Sequence, residues 1–387
     1  MKFQITLKNL YLENSHKKMN LIVITMDGAR LDRIVKGNNY KKLIEKSIFF
    51  PKTITYAPFT IAAMHAVFSG TYGFKSGVNS YWKTPNFKKT EYKTLTKYLQ
   101  DSNYYTYGDT INKLVLPKIG FDKLEIHDEL NDDLLERHKK LLDEMKIKND
   151  NDKNFFLYLH YSNIHTGIMQ NVLKKFNNFS QEYFSNIKAN SEYYDKLFNE
   201  ADLYLGELIK HFDKLELNKN TLLVVISDHG ISVGEKFGER AYGVFCYDYT
   251  LISTSLFLYP KLSPMTFENQ VRSVDILPTI LELLEIPNDT NYKKMDGKSL
   301  LPIINGKIEK RISFSQSGNP LNSTKPPKEP NVFAVRTDEW KYIRNIYDST
   351  EELYSLISDP NEKINLIDEE KRKSIEMRSL MNQILDS

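Results

Sequence analysis

Three short runs of β-branched and aliphatic residues, 21-LIVIT-25, 155-FFLYLHY-161 and 221-TLLVVIS-227, constrain this chain more than anything else in it. Each is short and bounded by polar or charged residues, as strands buried on both faces are. Between them lie patterns with helical spacing: YKTLTKYLQDS ending at Ser102, 133-DLLERHKKLLDEM-145 and 192-EYYDKLFNEADLYLGELIKHFDKL-215. A further one, 274-VDILPTILELLEI-286, begins beside Asp275. Strands alternating with helices specify an α/β fold with a mainly parallel central sheet sandwiched by helices. After about residue 305 the texture changes. SQSGNPLNSTKPPKEPN (315–331) reads as a loop, VFAVRT, WKYIRNIY and EELYSLI as short antiparallel strands, and DEEKRKSIEMRSLMNQIL as a terminal helix. The expected division is a large α/β domain over 1–310 and a small C-terminal α+β subdomain over 311–387.

The chain has 387 residues, with 53 basic against 50 acidic and a net charge of +3. That near balance argues against a general nucleic-acid binder. One cysteine, Cys246, excludes an internal disulfide framework and reads as a small core residue of a reducing compartment. The N-terminal stretch has no uninterrupted apolar segment before a cleavage site, and no apolar run approaches membrane-spanning length. The expectation is a soluble cytoplasmic protein without a transmembrane segment.

In an open parallel sheet, ligands bind beyond the carboxyl ends of the strands. Asp27-Gly28 follows the first run, Ser162, Asn163 and His165 follow the second, which contains His160, and Asp228-His229-Gly230 follows the third. Carboxylates and an imidazole at one edge suit a divalent cation such as Zn or Mn. Each feature has a plainer reading: Asp27-Gly28 as a turn, Asp228 as a helix cap, His160 as a packed strand histidine. Thr60 stands at the mouth of a bland, alanine-rich helix, where backbone N–H groups favour an oxyanion. It reads either as an N-cap or as a hydroxyl activated by the same cation. Of the remaining histidines, His65 reads as a possible pocket residue, His127 as structural, His138 and His211 as solvated on amphipathic helices, and His16 as incidental.

LIVITMDGARLDRI, APFTIAAMHAVFSGTY, NKNTLLVVISDHG and VRSVDILPTILELLEIP, in that order, resemble the sulfatase branch of the alkaline phosphatase superfamily. MDGKSLLPII and ELYSLISDPNEKINL resemble later segments of the same family. The resemblance implies a metal held by Asp27, Thr60, Asp228 and His229, with Thr60 at the position of the nucleophile. It also implies that His165 touches the substrate or leaving group, with His160 as a second contact. Arg240 or Lys236, in GEKFGERAYG, would hold an anionic ester oxygen. The chain departs from the sulfatase pattern C/S-x-P-x-R: Thr60 is followed by Ile61-Ala62-Ala63-Met64, so formylglycine chemistry is absent. Gly28 replaces the second of the paired aspartates. A second metal would have only His160 and His165 as donors.

These features point to a metal-dependent hydrolase or transferase of phosphate esters working through a covalent phospho-Thr60. One divalent ion is expected: Zn, Mn, Mg or Ca, with Zn or Mn favoured. The substrate is expected to be an anionic ester, on a polysaccharide or lipid precursor by analogy. Two other readings stand beside it: a sulfuric ester hydrolase without formylglycine, and an inactive family member that binds an anionic glycan or a partner.

Overall fold

The structure is a computed structural model and describes residues 18–318 and 329–387. The N-terminal segment, His16 and most of the Pro/Ser-rich stretch lie outside the described residues. The main sheet is built from β1 (Asn20–Met26), β2 (Ile48–Ile54), β3 (Tyr105–Thr110), β4 (Lys123–Ile126), β5 (Phe155–Tyr161), β6 (Thr221–Ile226), β7 (Ile252–Leu258), β8 (Met265–Thr266) and β9 (Val271–Arg272). Its order is β4-β3-β5-β1-β6-β7-β2-β8, with β9 also on β2. β4, β3, β5, β1 and β6 run parallel, and β7 is antiparallel to both β6 and β2. The fold class is that expected from the three apolar runs, which form the sheet's centre.

Alternation along those strands sends successive side chains into two cores. Ile22, Ile24, Leu157, Leu159, Leu223 and Val225 face one layer, with α3 (Leu134–Asp150) and α5 (Ile187–Lys214). Leu21, Val23, Phe156, Tyr158, Leu222 and Val224 face the other, with α1 (Thr60–Ser69), α2 (Leu95–Asp101) and α6 (Ile276–Leu283). A short helix, α4 (Asn163–Ile168), leaves the carboxyl end of β5 and carries His165.

A second, antiparallel sheet follows, of β10 (Ser313–Ser317), β11 (Val332–Arg336), β12 (Trp340–Asn345) and β13 (Thr350–Ser355). The terminal helix α7 (Lys371–Leu385) packs on it. β10 corrects the loop reading of 315–331 at its first residues. Ser315 and Ser317 are polar but buried, because their hydroxyls donate to the carbonyls of Thr55 and Gly243 at 2.6 and 2.8 Å. This sheet does not stand apart. Phe314, Val335, Tyr342, Leu353 and Met377 share a core with Tyr56, Phe59, Ala62, Ala66 and Tyr72. The small residues of α1 therefore let one helix pack between two sheets.

Candidate active site

Asp27, Thr60, Asp228 and His229 meet beyond the carboxyl ends of β1 and β6. Thr60 is the first residue of α1, after Phe59 at the N-cap, so its hydroxyl is not used as a cap. That hydroxyl donates to Asp27 Oδ2 at 3.2 Å and lies 3.3 Å from His229 Nε2. His229 Nε2 is 3.7 Å from Asp27 Oδ1 and 3.6 Å from Asp228 Oδ2. Local backbone fixes the set. Gly28 takes a left-handed φ of 74°, and its N–H and that of His229 both donate to Asp228 Oδ1, at 3.1 and 2.9 Å. His229 Nδ1–H donates to the Gly230 carbonyl at 2.8 Å, which leaves Nε2 with its lone pair toward the cluster.

Two buried oxygens here, Asp27 Oδ1 and Asp228 Oδ2, have no hydrogen-bond partner. Leaving charged oxygens buried and unpaired is costly. A cation with bonds of about 2.0–2.2 Å separates its ligand atoms by about 3.3–3.6 Å, close to the spacings above. The residues present thus fit a divalent ion. The electrostatics agree. Burial pushes Asp27 up, but His165, His160 and His229 outweigh it and hold the carboxyl well below its usual range. Asp228 is raised by burial and by the charge of Asp27.

His160 Nε2 lies 3.1 Å from Asp27 Oδ2, and its Nδ1 is 3.2 Å from Thr110 Oγ1. This strand histidine is packed, and it also reaches the cluster through Asp27. His165 Nδ1 is 4.0 Å from Asp27 Oδ2, with a partly exposed side chain at the opening. Arg240 and Lys236 make their contacts elsewhere. Arg240 donates to the Phe176 carbonyl, and Lys236 donates to the Glu362 carbonyl at 2.7 Å while covering the Tyr247 ring. Both belong to the long segment after β6, where the sequence gives no periodicity to place a side chain. Among the described contacts no lysine or arginine touches the cluster, and the nitrogen groups nearest it are imidazoles.

Sequence reasoning missed two groups. Tyr242 hydrogen-bonds His165 Nδ1 at 2.9 Å and lies over the His229 ring, centroids 4.7 Å apart. Tyr81 stacks on Phe59 at 4.5 Å, and its phenol is raised by burial and by the charges of Asp27 and Asp228. The second group is Asp109, His127 and His138, another set with metal-ligand chemistry. Here every polar atom is satisfied. His127 Nδ1 and His138 Nε2 share Asp109 Oδ2 at 3.1 and 2.9 Å, their outer nitrogens meet Ser162 Oγ and Tyr204 Oη, and Arg137 binds Asp109 Oδ1. These are hydrogen-bond distances without orphaned atoms, unlike the Asp27 cluster. His160 and His165 are therefore not the sole donors beyond the first set. His138 is fully buried, not solvated; it shares the face of Leu134, Leu141, Leu142 and Met145, a spacing visible in the sequence. His211 pairs with Asp143 at 2.8 Å on the surface. His65 is buried, its Nδ1–H donates to the Ile61 carbonyl of its own helix at 2.8 Å, and none of its described contacts reaches the cluster.

The sulfatase family model matches residues 19–286, and a model described as N-sulphoglucosamine sulphohydrolase, C-terminal, matches 240–387. Arylsulfatase K of Canis lupus familiaris is 28% identical over 202 residues, covering 49% of this chain and 35% of that protein. A sulfatase of Formosa agariphila is 30% identical over 179 residues, 45% of this chain and 32% of its own. The matched region thus spans about a third of the length of these curated relatives. Among solved structures, one in complex with D-glucosamine-2-N,6-O-disulfate superposes with a TM-score of 0.73 at 16% identity, covering 96% of this chain and 98% of that one. A phosphonate monoester hydrolase from Silicibacter pomeroyi gives 0.72 at 16% identity, with 95% of both chains covered. With more than half of its length matched by the family model, this chain belongs to the sulfatase family.

Proposed function

We propose that this chain is a metal-dependent hydrolase or transferase of esters whose reacting group carries a single negative charge, with Thr60 as nucleophile. The observation that carries the reading is the Thr60 hydroxyl, between Asp27 Oδ2 and His229 Nε2 at 3.2 and 3.3 Å. Asp27, Thr60, Asp228 and His229 would hold one divalent ion, which when bound supplies a Lewis acid that lowers the hydroxyl pKa and polarises an ester oxygen. Two carboxylates offset one dication, and only imidazoles and phenols surround them. One further negative charge is easier to accept there than two. Phosphodiesters and sulfate monoesters meet that condition; phosphomonoester dianions do not.

For a phosphodiester, Thr60 Oγ1 passes its proton to Asp27 Oδ2, which accepts from it at 3.2 Å, and attacks phosphorus; the bond to the leaving oxygen breaks, and His165 steadies that oxygen with an N–H hydrogen bond until it takes a proton from solvent. Water, or an acceptor hydroxyl, then attacks phosphorus and loses its proton to solvent. The bond to Thr60 breaks, and Thr60 recovers its proton from Asp27 Oδ2. The first turn of α1 directs its free N–H groups at this region, where negative charge develops. The sulfuric ester reading is favoured by the two family models, and threonine, a secondary alcohol, would serve it without an aldehyde. An anionic glycan or lipid precursor suits the ring surfaces of Tyr81 and Tyr242 at the opening.

The test is turnover by the metal-loaded full chain of bis-p-nitrophenyl phosphate, p-nitrophenyl sulfate and p-nitrophenyl phosphate. At least one of the first two is expected to be preferred over the third by about tenfold or more. Thr60→Ala is expected to lower turnover by more than about 1,000-fold. Preference for the dianion, or an active Thr60→Ala protein, overturns the reading. A chain that takes up no divalent ion points to the inactive binding module.

A further inference from the structure

We propose that Tyr242 is a positioning residue that fixes the tautomer of His165, so that the imidazole presents Nε2–H at the opening of the site; the catalytic use of that proton rests on the reading of His165 above. The phenol carries one proton, and the acceptor it meets is His165 Nδ1, at 2.9 Å. No other hydrogen-bond partner of this oxygen is recorded among the described residues. The phenol therefore donates, Nδ1 keeps its lone pair, and the ring proton resides on Nε2. The competing influence is also present. Nδ1 lies 4.0 Å from Asp27 Oδ2, and a carboxylate draws an N–H toward itself. Without the phenol, the proton moves to Nδ1, and Nε2 loses the hydrogen bond it would donate to a leaving oxygen.

Tyr242 is built to stay where it is. Its ring lies over His229 at an interplanar angle of 38°. The carbonyl before it, Ala241 O, accepts from Ser232 N at 2.5 Å, and the carbonyl after it, Gly243 O, accepts from Ser317 Oγ at 2.8 Å. Gly243 itself has a left-handed φ of 84°. Beyond it, the Glu239 carboxylate accepts from Val244 N and Phe245 N at 3.0 and 3.2 Å. The segment is thus tied to the main domain and to β10, and it meets His165 through the hydroxyl and through the ring, centroids 5.9 Å apart.

Tyr242→Phe keeps the ring and deletes only the oxygen. In the zinc-loaded, histidine-¹⁵N-labelled full chain, the wild-type spectrum is expected to show His165 Nδ1 as a pyridine-type and Nε2 as a pyrrole-type nitrogen, and the variant the reverse. On a series of aryl esters of the class the enzyme turns over, the loss in kcat should grow with leaving-group pKa. It is expected to be under about twofold for p-nitrophenol and about tenfold or more for phenol, with KM unchanged. Unchanged nitrogen assignments, or an equal loss across the series, overturn the proposal and leave Tyr242 as a wall. Because the nitrogen spectra need no turnover, the expected tautomer in a chain that cleaves no ester would support this placement and overturn the hydrolase reading instead.

Discussion

Asp27 and Asp228 share one cluster but are pushed in opposite directions, the first down by three imidazoles and the second up by burial and by its neighbour. Pairs pushed apart in this way cluster at binding and catalytic sites. A different buried carboxylate, Glu239, is pushed up to about 7 by burial although Tyr249 and two backbone N–H groups donate to it. Because its folded value exceeds the ordinary carboxylate value, the stability it allows is complete below pH 4.5 and is lost as pH rises through about 7. The loss is on the order of 3 kcal/mol. Glu239→Gln is expected to remove that slope, so that urea midpoints of wild type and variant diverge between pH 5 and 8 in the variant's favour. Asp27, Asp228 and His229 were legible in the sequence because a residue directly after a buried strand has only one place to go. Tyr242 and Tyr81 were not, since nothing in a long aperiodic segment states which side chain turns inward.

Among the elements, β1, β5 and β6 announce themselves because central parallel strands are apolar throughout. β2 and β7 do not, and the reason is chemical. IFFPKTI contains Pro51 and Lys52, and ISTSLFL carries Ser253 and Ser255 into the interior. Those hydroxyls are satisfied across the pair, Thr53 Oγ1 with Ser255 Oγ at 2.8 Å and Ser253 Oγ with the Thr53 carbonyl at 2.8 Å, so polar residues pass as core. The helix α1 ends at Gly70, in the left-handed region with φ of 62°. A Cβ there would meet Met295 Sδ at 2.7 Å, whereas one at Gly306, also left-handed at 86°, would meet nothing within 4 Å. Gly70→Ala and Gly306→Ala should each lose about 1–2 kcal/mol to backbone strain. Gly70→Ala should lose more, by the displacement of a flexible methionine tip, and chemical denaturation of both variants checks the order. Equal losses would mean that Met295 moves aside freely.

For the molecule as a whole, the expected boundary near residue 310 remains a proposal, and the shared core bears on what it means. Asp248 of the main domain binds Lys341 and Arg336 of the small sheet at 2.8 and 2.9 Å, and Glu362 closes the group on Lys341 at 2.7 Å, all of it buried. Removing one side would strand charges in the interior, at about 3–5 kcal/mol for a single partner. A chain cut to 1–310 is therefore expected to be insoluble or to lack a cooperative melt, and a sharp melt of that fragment would show the units to be independent. None of this network was readable beforehand, because Asp248 stands 88 and 93 residues before Arg336 and Lys341 and no local pattern joins them. The hydroxyls of Ser315 and Ser317 carry a last consequence. They grip carbonyls at Thr55 and Gly243, one ahead of the helix that Thr60 opens and one next to Tyr242. A graft that swaps the C-terminal portion for that of a cousin would thus disturb both flanks of the Asp27–Thr60 cluster at once.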